Sequence, residues 1–177
     1  TSYMNINNTT LHTKYPHPIT IAYLSEIFHD CSDFMMREVY IGERKDLPVW
    51  VCWIDGISSG TNISNDILRP LTSPARFEFC ADLPSAYKEI YKGAVHNFNA
   101  KAYTQTDDVV SDLLSGSCVL IFVPLKKALA FEVRSTFMRS VDQSTLEKSI
   151  KGSKEAFIEN IRVNTCLIRR KLKTAKL

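Results

Sequence analysis

The stretch GSKEAFIENIRVNTCLIRRKLK, residues 152–173, has the longest regular helical periodicity in the chain. At about 100° per residue, its apolar side chains fall on one face. They are Phe157, Ile158, Ile161, Ile168 and Leu172, with Val163 and Leu167 at the margin. Gly152 or Ser153 can serve as the N-cap, and Glu155 lies in the first turn, where the helix dipole favours an anion. The pattern predicts one amphipathic helix over 153–173, whose apolar face closes a core supplied by the preceding chain.

The opposite face of this predicted helix is basic. It carries Arg162, Arg169, Arg170 and Lys173. Residues 145–177 contain nine Lys or Arg and three Asp or Glu, a net +6, so the rest of the chain carries −3 of the total +3. Two interpretations stay open, a solvated face or a surface that contacts an acidic partner or anionic lipid headgroups.

The composition of the chain is that of a soluble protein, with 177 residues, 45% apolar and 23% charged. We predict a flexible lead-in over 1–18 and a single α/β domain over 19–177. A net charge of +3 is too small to indicate nucleic-acid binding. The longest apolar run, Cys118–Leu125, is shorter than the roughly 20 residues of a membrane helix, and no secretory signal is visible.

Cysteine and histidine spacings predict neither a metal site nor a disulfide framework. The five cysteines are Cys31, Cys52, Cys80, Cys118 and Cys166. They contain no C-x-x-C pair, and three lie in apolar runs, so we expect buried free thiols in a reducing compartment. The four histidines have no metal-ligand spacing to one another or to a cysteine. No cofactor and no metal are expected.

Strand signals fall mainly in two pairs. Residues 37–41 and the β-branched and aromatic run PVWVCWI, residues 48–54, predict an antiparallel hairpin. Residues 118–123 and 128–133 predict a second pair. A further strand is predicted over 76–80.

Helical signals lie between and after these strands. Helices are predicted over 19–28, 63–69, 83–95 and 153–173, and a further helix is capped by Thr106 and has Gly116 as its C′ residue. A turn is predicted at 33–36 and a loop at 96–105. Ser144 and Glu147 form a capping box for a short helical turn. Ser58, Ser59 or Thr61 can cap the second helix, and Pro70 is expected to end it. This order predicts an α/β fold with one mixed or antiparallel sheet, helices mainly on one face, and a closing C-terminal amphipathic helix.

Three aspartates are the main candidates for acid–base or cation-binding chemistry. Asp107, Asp108 and Asp112 are close in sequence, but the first two also fit the positive end of a helix, which is the interpretation we favour. Asp55, followed by Gly56, is typical of a turn after a strand and has no partner base.

Nothing else in the sequence predicts an enzyme. Ser58-Ser59-Gly60 lacks the G-x-S-x-G elbow of hydrolases. Trp50 and Trp53 are separated by an odd spacing, so they should lie on opposite faces of their strand. We expect them to contribute to the core and not to form a stacking platform for a ligand. We therefore expect no catalytic residues.

Several segments together resemble a known family. W-I-D-G-I-S-S at 53–59 and I-L-R-P-L at 67–71 resemble the Y-x-D-G-L-V-D and I-L-x-P-L motifs of spore germination receptor A subunits of the GerA/GerK type. D-L-L-S-G at 112–116 resembles the next block. Residues 147–173 resemble the family's E-x-x-V-R-G-P-R-E-G-F-x-E-x-L-R-x-N-x-x-L-I-R-R-R-I, with Gly152-Ser153 in place of Gly-Pro. That replacement is similar to the related stage V sporulation protein AF.

The resemblance implies the first soluble subdomain of a receptor of the spore inner membrane, on its cytoplasmic side, ending in a connecting helix. It implies B and C subunits as partners, membrane attachment through another part of the protein, and signalling of small germinants such as amino acids, sugars or nucleosides. It assigns no ligand-binding residue. The basic face would then meet the second subdomain, another subunit or lipid. An AF-type sporulation protein and an unrelated nucleic-acid-binding α/β module stay open as alternatives.

Overall fold

The computed structural model describes residues 14–95 and 100–133, together with Ile168 and Leu172. The predicted capping box at Ser144 and nearly all of the predicted helix 153–173 lie outside the described residues. Ile168 and Leu172 are both helical, and the side chain of Leu172 is 64% exposed. Closure of the core by this helix therefore stays a prediction.

Within the described residues, five strands form one antiparallel sheet. They are β1 (Phe34–Tyr40), β2 (Pro48–Ile54), β3 (Lys101–Tyr103), β4 (Ser117–Phe122) and β5 (Lys127–Glu132). Their order in the sheet is β1-β2-β4-β5-β3. The predicted α/β fold with a single sheet is confirmed, and every strand pairing in it is antiparallel.

The predicted hairpins are both present. β2 has the predicted bounds, and it pairs with β1 so that Met36 lies opposite Cys52. β1 begins at Phe34, because 34–36 pair with 52–54; the turn predicted at 33–36 is wrong. β4 and β5 form the second pair, each starting one residue earlier than predicted.

Two predictions about where strands lie are wrong. The strand predicted over 76–80 is wrong, because Pro74–Phe77 form a helix and the Cys80 amide then turns back to the Phe77 carbonyl at 3.1 Å. The loop predicted over 96–105 contains β3, which pairs with β5 at the edge of the sheet.

The helices of the described residues are short. They are α1 (Ile21–Ile27), α2 (Gly60–Asn62), α3 (Arg69–Thr72), α4 (Pro74–Phe77), α5 (Leu83–Glu89) and α6 (Thr106–Leu114). A π-helical segment, Ile63–Leu68, joins α2 to α3, and another, Ile90–Ala94, extends α5. Pro70 does not end the helix as predicted. It lies in the first turn of α3, directly after the wider π-helical turn, where a missing N–H is tolerated.

Helices cover both faces of the sheet, so the prediction that they pack mainly on one face is wrong. Alternate strand residues separate into two cores. Val119 and Ile121 of β4 pack with α1 and α6. Cys118, Leu120 and Phe122 instead pack with the helical region between residues 60 and 94. All six residues of β4 are buried, because this central strand has a covered face on each side.

The last residues of the lead-in predicted over 1–18 form hydrogen bonds to the first turn of α6. Residues 1–13 lie outside the described residues. The Tyr15 amide donates to Asp107 Oδ1 at 2.9 Å, and the Thr106 hydroxyl donates to the His17 carbonyl at 2.7 Å. Thr106 therefore bonds to this segment and does not cap α6, whose N-cap is Gln105.

Gly56 has the turn conformation that the sequence predicts, with φ of 90°. A β-branched side chain is strained there, so we expect Gly56→Val to lower the free energy of unfolding by about 1 kcal/mol or more. Urea denaturation followed by circular dichroism measures this change. A variant as stable as the parent chain would contradict the conformational argument.

Candidate functional site

The three aspartates of α6 do not converge on one site. Asp107 accepts the Tyr15 amide, whereas Asp108 is exposed. Asp112 accepts the Tyr103 hydroxyl at 3.0 Å and lies 3.8 Å from the Lys101 ammonium. Asp107 and Asp108 are in the first turn of the helix, as the interpretation of helix-dipole stabilisation requires. Asp112 instead joins α6 to the edge strand β3.

Burial, followed by the hydrogen bond to the Asp112 carboxylate, raises the pKa of Tyr103 to about 12. The neutral phenol is therefore favoured in the folded state. Its contribution to stability is present below the ordinary pKa of about 10 and is lost as the pH rises through about 12.

We expect the free energy of unfolding to fall between about pH 10 and pH 12, and to fall less in Tyr103→Phe, which has no hydroxyl to ionise. Urea denaturation at several pH values measures both slopes. Equal slopes in the parent and the variant would show that Tyr103 does not contribute to the pH dependence.

The D-G-I-S-S segment, residues 55–59, joins three parts of the fold. The Ser58 hydroxyl is buried and donates to the Gly116 carbonyl at 3.1 Å, at the turn between α6 and β4. The Ser59 amide donates to the Val133 carbonyl at 2.7 Å, at the end of β5. The Ser59 side chain accepts the Asn62 amide and caps α2, so Ser59 is the cap among the three predicted candidates, and the helix begins at Gly60 instead of residue 63. These serines therefore have structural partners.

Arg44 fixes the turn after α4 to the β1–β2 hairpin. Its guanidinium forms two hydrogen bonds to the Asp46 carboxylate, at 3.2 and 2.7 Å, which lower the pKa of that carboxyl. Its Nη1 donates to the carbonyls of Cys80, at 2.5 Å, and Phe77, at 3.4 Å. Between those two anchored residues lies Phe79, whose side chain is 92% exposed. The backbone that presents this aromatic ring is thus held at both ends.

A cleft lies between the N-terminal segment and α6, and we call it the α6 cleft. Lys14, Tyr15, Asp107, Val110 and Leu114 line it, together with two serines, one on α6 and one at its C-terminal cap. Its volume is about 290 Å³. Sequence reasoning missed it, because its walls come from residues about ninety positions apart and 1–18 reads as a polar lead-in.

The predicted cysteine environment is confirmed where the structure describes it. Cys31, Cys52, Cys80 and Cys118 are buried and are not joined by disulfide bonds, and Cys166 lies outside the described residues. Burial raises the pKa of Cys52 to about 12 and that of Cys118 well above its ordinary value. Thiols of this kind are unreactive near neutral pH.

The two tryptophans lie on opposite faces of β2, as predicted. Each is half-buried and packs against a different core. In the described part of the chain, no three His, Cys, Asp or Glu side chains are grouped to hold a metal ion. The predicted contact residues Arg162, Arg169, Arg170 and Lys173 lie outside that part, so their role stays a prediction.

A family model described as "Bacillus/Clostridium GerA spore germination protein" matches residues 22–177. The chain belongs to this GerA family. The match includes residues 72–111, which lie between the I-L-R-P-L and D-L-L-S-G motifs.

Two proteins of Bacillus subtilis are similar to the chain in sequence. The chain is 27% identical to the uncharacterized membrane protein YfkQ of Bacillus subtilis, over 87% of the chain and 29% of YfkQ. It is 24% identical to spore germination protein KA of the same organism, over 82% of the chain and 26% of that protein. The chain thus spans less than a third of each of these relatives.

The fold is also that of a solved structure. The N-terminal domain of the A subunit of the Bacillus megaterium spore germinant receptor GerK3 superposes with a TM-score of 0.57 at 24% identity. The superposition covers 87% of this chain and 53% of that domain. In this GerA-family chain, the hydrogen bonds of the motif residues Ser58 and Ser59 to Gly116 and Val133 join separate parts of the fold.

Proposed function

We propose that this chain is the first soluble subdomain of a spore germination receptor A subunit, where it takes part in germinant sensing, signal transduction and receptor assembly. The observation that carries the proposal is the fold shared with the GerK3 A-subunit domain over 87% of the chain. The family match over residues 22–177 supports it.

The proposal includes the protein's place in the cell. No helix among the described residues is long and apolar enough to cross a membrane. Because the chain corresponds to less than a third of the curated relatives, we propose that another part of the protein attaches it to the spore inner membrane, with this domain on the cytoplasmic side. B and C subunits are the proposed partners.

We propose a binding and signalling role instead of an enzymatic one. The polar side chains that sequence motifs single out, Ser58, Ser59 and Asp112, form hydrogen bonds within the fold. Catalysis requires groups that are aimed at a shared reacting position. The described aspartates of α6 point to different partners and do not provide such a position.

Phe79 supports the assembly part of the proposal. A phenylalanine at 92% exposure leaves an apolar surface in water, and aromatic side chains are enriched in the centres of protein interfaces. Arg44 holds the backbone on both sides of it, so little conformational entropy would be lost on docking. We propose that Phe79 contacts a part of the receptor outside this chain.

The test uses the full-length protein in spores of its source organism. Deleting the gene should abolish the release of dipicolinic acid in response to at least one class among amino acids, sugars and nucleosides. Complementation with the Phe79→Ser variant should restore this germination response less well than complementation with Met35→Ser. Met35→Ser is a matched change at an apolar side chain that is 43% exposed. Normal responses of the deletion strain to every class would overturn the receptor proposal.

A stage V AF-type sporulation protein is the second candidate, because Gly152-Ser153 stands where the receptor subunits have Gly-Pro. The same deletion strain distinguishes the two. A receptor subunit predicts a defect for one germinant class, whereas an AF-type protein predicts a change shared by all classes.

A further inference from the structure

The turn that carries Phe79 also borders an open groove, which we call the Arg44 groove. Its lining includes Arg44 and several small or apolar residues: Gly42, Pro74, Ala75, Cys80 and Ala81. Its volume is about 630 Å³, so an aromatic ring can enter it. The two neighbours of Phe79 in the chain line the groove, but Phe79 itself does not, and its side chain is 92% exposed. A protruding aromatic ring and a concave surface therefore lie next to each other.

Hydrogen bonds hold both features in place. Arg44 Nη1 donates to the carbonyls of Phe77 and Cys80, so the backbone on each side of Phe79 is fixed. Arg76 Nη1 donates to the Ala94 carbonyl at 2.6 Å, which joins α4 to the end of the π-helical segment that extends α5. Because the ring and the groove already have a fixed shape, docking costs little conformational entropy.

The charges of this surface do not favour a partner of one sign. Residues 74–92 contain three basic and three acidic side chains, all exposed: Arg76, Lys88, Lys92, Glu78, Asp82 and Glu89. Arg44 is paired with Asp46 at 2.7 Å, so covering the groove buries no unpaired guanidinium. An anionic lipid surface or a nucleic acid attracts a surface of net positive charge, whereas a second copy of this chain brings both signs in equal number.

We propose that two copies of this chain associate here, with Phe79 of each copy inserted into the Arg44 groove of the other. A two-fold axis brings one patch against itself, so a protruding group and the concavity that receives it must lie side by side. Phe79 and the groove meet this requirement, because one turn forms both. Each ring leaves water and packs against Ala75 and Ala81. The inference names the partner that the proposed assembly role leaves open, and it rests on that role only for its biological meaning.

The first experiment is sedimentation equilibrium of the chain at increasing concentrations. One ring from each copy makes a small interface, so we expect a monomer–dimer equilibrium with a Kd on the order of 100 µM. Phe79→Ser should weaken association at least about tenfold, and the matched change Met35→Ser less than about twofold. Equal association of the two variants would overturn the proposal. A parent chain that stays monomeric up to about tenfold above that Kd would also overturn it and would leave another subunit as the partner.

The second experiment blocks the groove and keeps the ring. Ala81→Gln adds a neutral side chain at an exposed position of the groove, so this variant alone should also associate weakly. A mixture of Phe79→Ser and Ala81→Gln can form one complete contact, because the first variant has an open groove and the second has the ring. Unlabelled Ala81→Gln should therefore shift the NMR signals of the Gly42 and Ala75 amides in ¹⁵N-labelled Phe79→Ser.

The control titration adds unlabelled Phe79→Ser to the same labelled variant, and it should cause no such shifts because neither copy has the ring. Equal shifts in the two titrations, or none in either, would overturn the proposal. Phe79 and Ala81 are exposed, so neither substitution removes a core contact, and circular dichroism checks that both variants fold like the parent. Failure of association leaves the receptor assignment intact, because the germination response of spores tests that assignment.

Discussion

Leu120→Asp should leave the chain unfolded in water at about 25 °C. Leu120 lies in the central strand β4, opposite Val51 of β2 and Leu129 of β5, and its side chain is fully buried. A carboxylate at this position would have no partner of opposite charge or hydrogen-bond donor among the apolar side chains around it. The penalty for such a group is several kcal/mol, comparable to the whole stability of a small domain of about 5–15 kcal/mol.

Far-ultraviolet circular dichroism and amide dispersion in NMR spectra measure this effect. Leu120→Ala separates loss of packing from burial of a charge, and it should remain folded with a loss of about 2–5 kcal/mol. Val123→Asp introduces the same charge at a side chain that is 36% exposed, and it should change stability little. A folded Leu120→Asp variant with parent-like stability would show that β4 is not at the centre of the fold.

Gly42→Ala should lower the free energy of unfolding by about 2 kcal/mol or more. Gly42 has φ of 59°, and a Cβ atom there would lie 3.1 Å from Cβ of Phe77. Phe77 is fully buried, and the Arg44 hydrogen bonds fix the chain that follows it, so the ring cannot easily move away. Backbone strain and crowding therefore act together at this turn.

Two other glycines separate these contributions. Gly93 has φ of 112°, but a Cβ atom added there would meet no other atom within 4 Å, so Gly93→Ala should show the strain alone. Gly60 has open space and lies in α2, so Gly60→Ala should be neutral or stabilising by up to about 1 kcal/mol. Urea denaturation of the three variants measures the series. Equal stability of Gly42→Ala and Gly60→Ala would contradict the predicted contact with Phe77.

The sequence was most informative where burial and backbone preference agree. PVWVCWI is rich in β-branched and aromatic residues, and β2 has the predicted bounds. Asp107 and Asp108 before an apolar run predicted the start of α6, and Gly116 predicted its end, with φ of 93°. The family motifs predicted the family. These signals are local, because each depends on neighbouring residues in the chain.

The sequence was misleading where distant contacts override local preference. The alternation of R-F-E-F at 76–79 favours a strand, yet Pro74 begins α4 there and Arg44 binds the carbonyls that follow. β3 has only three residues, so its signal is too short to detect, and pairing with β5 defines it. β2 reads as apolar on both faces, but only the packed helices show that both faces of the sheet are covered.

The sequence by itself determined the class of fold, its two hairpins, the helix at 106–114 and the family. Only the tertiary structure decided that Ser58 bonds to Gly116, that Ser59 bonds to Val133 and that Lys14 and Tyr15 form a cleft with α6. The physical reason is that strand and helix preferences act between near neighbours in the chain. Hydrogen bonds and clefts between distant segments exist only after the sheet has brought those segments together.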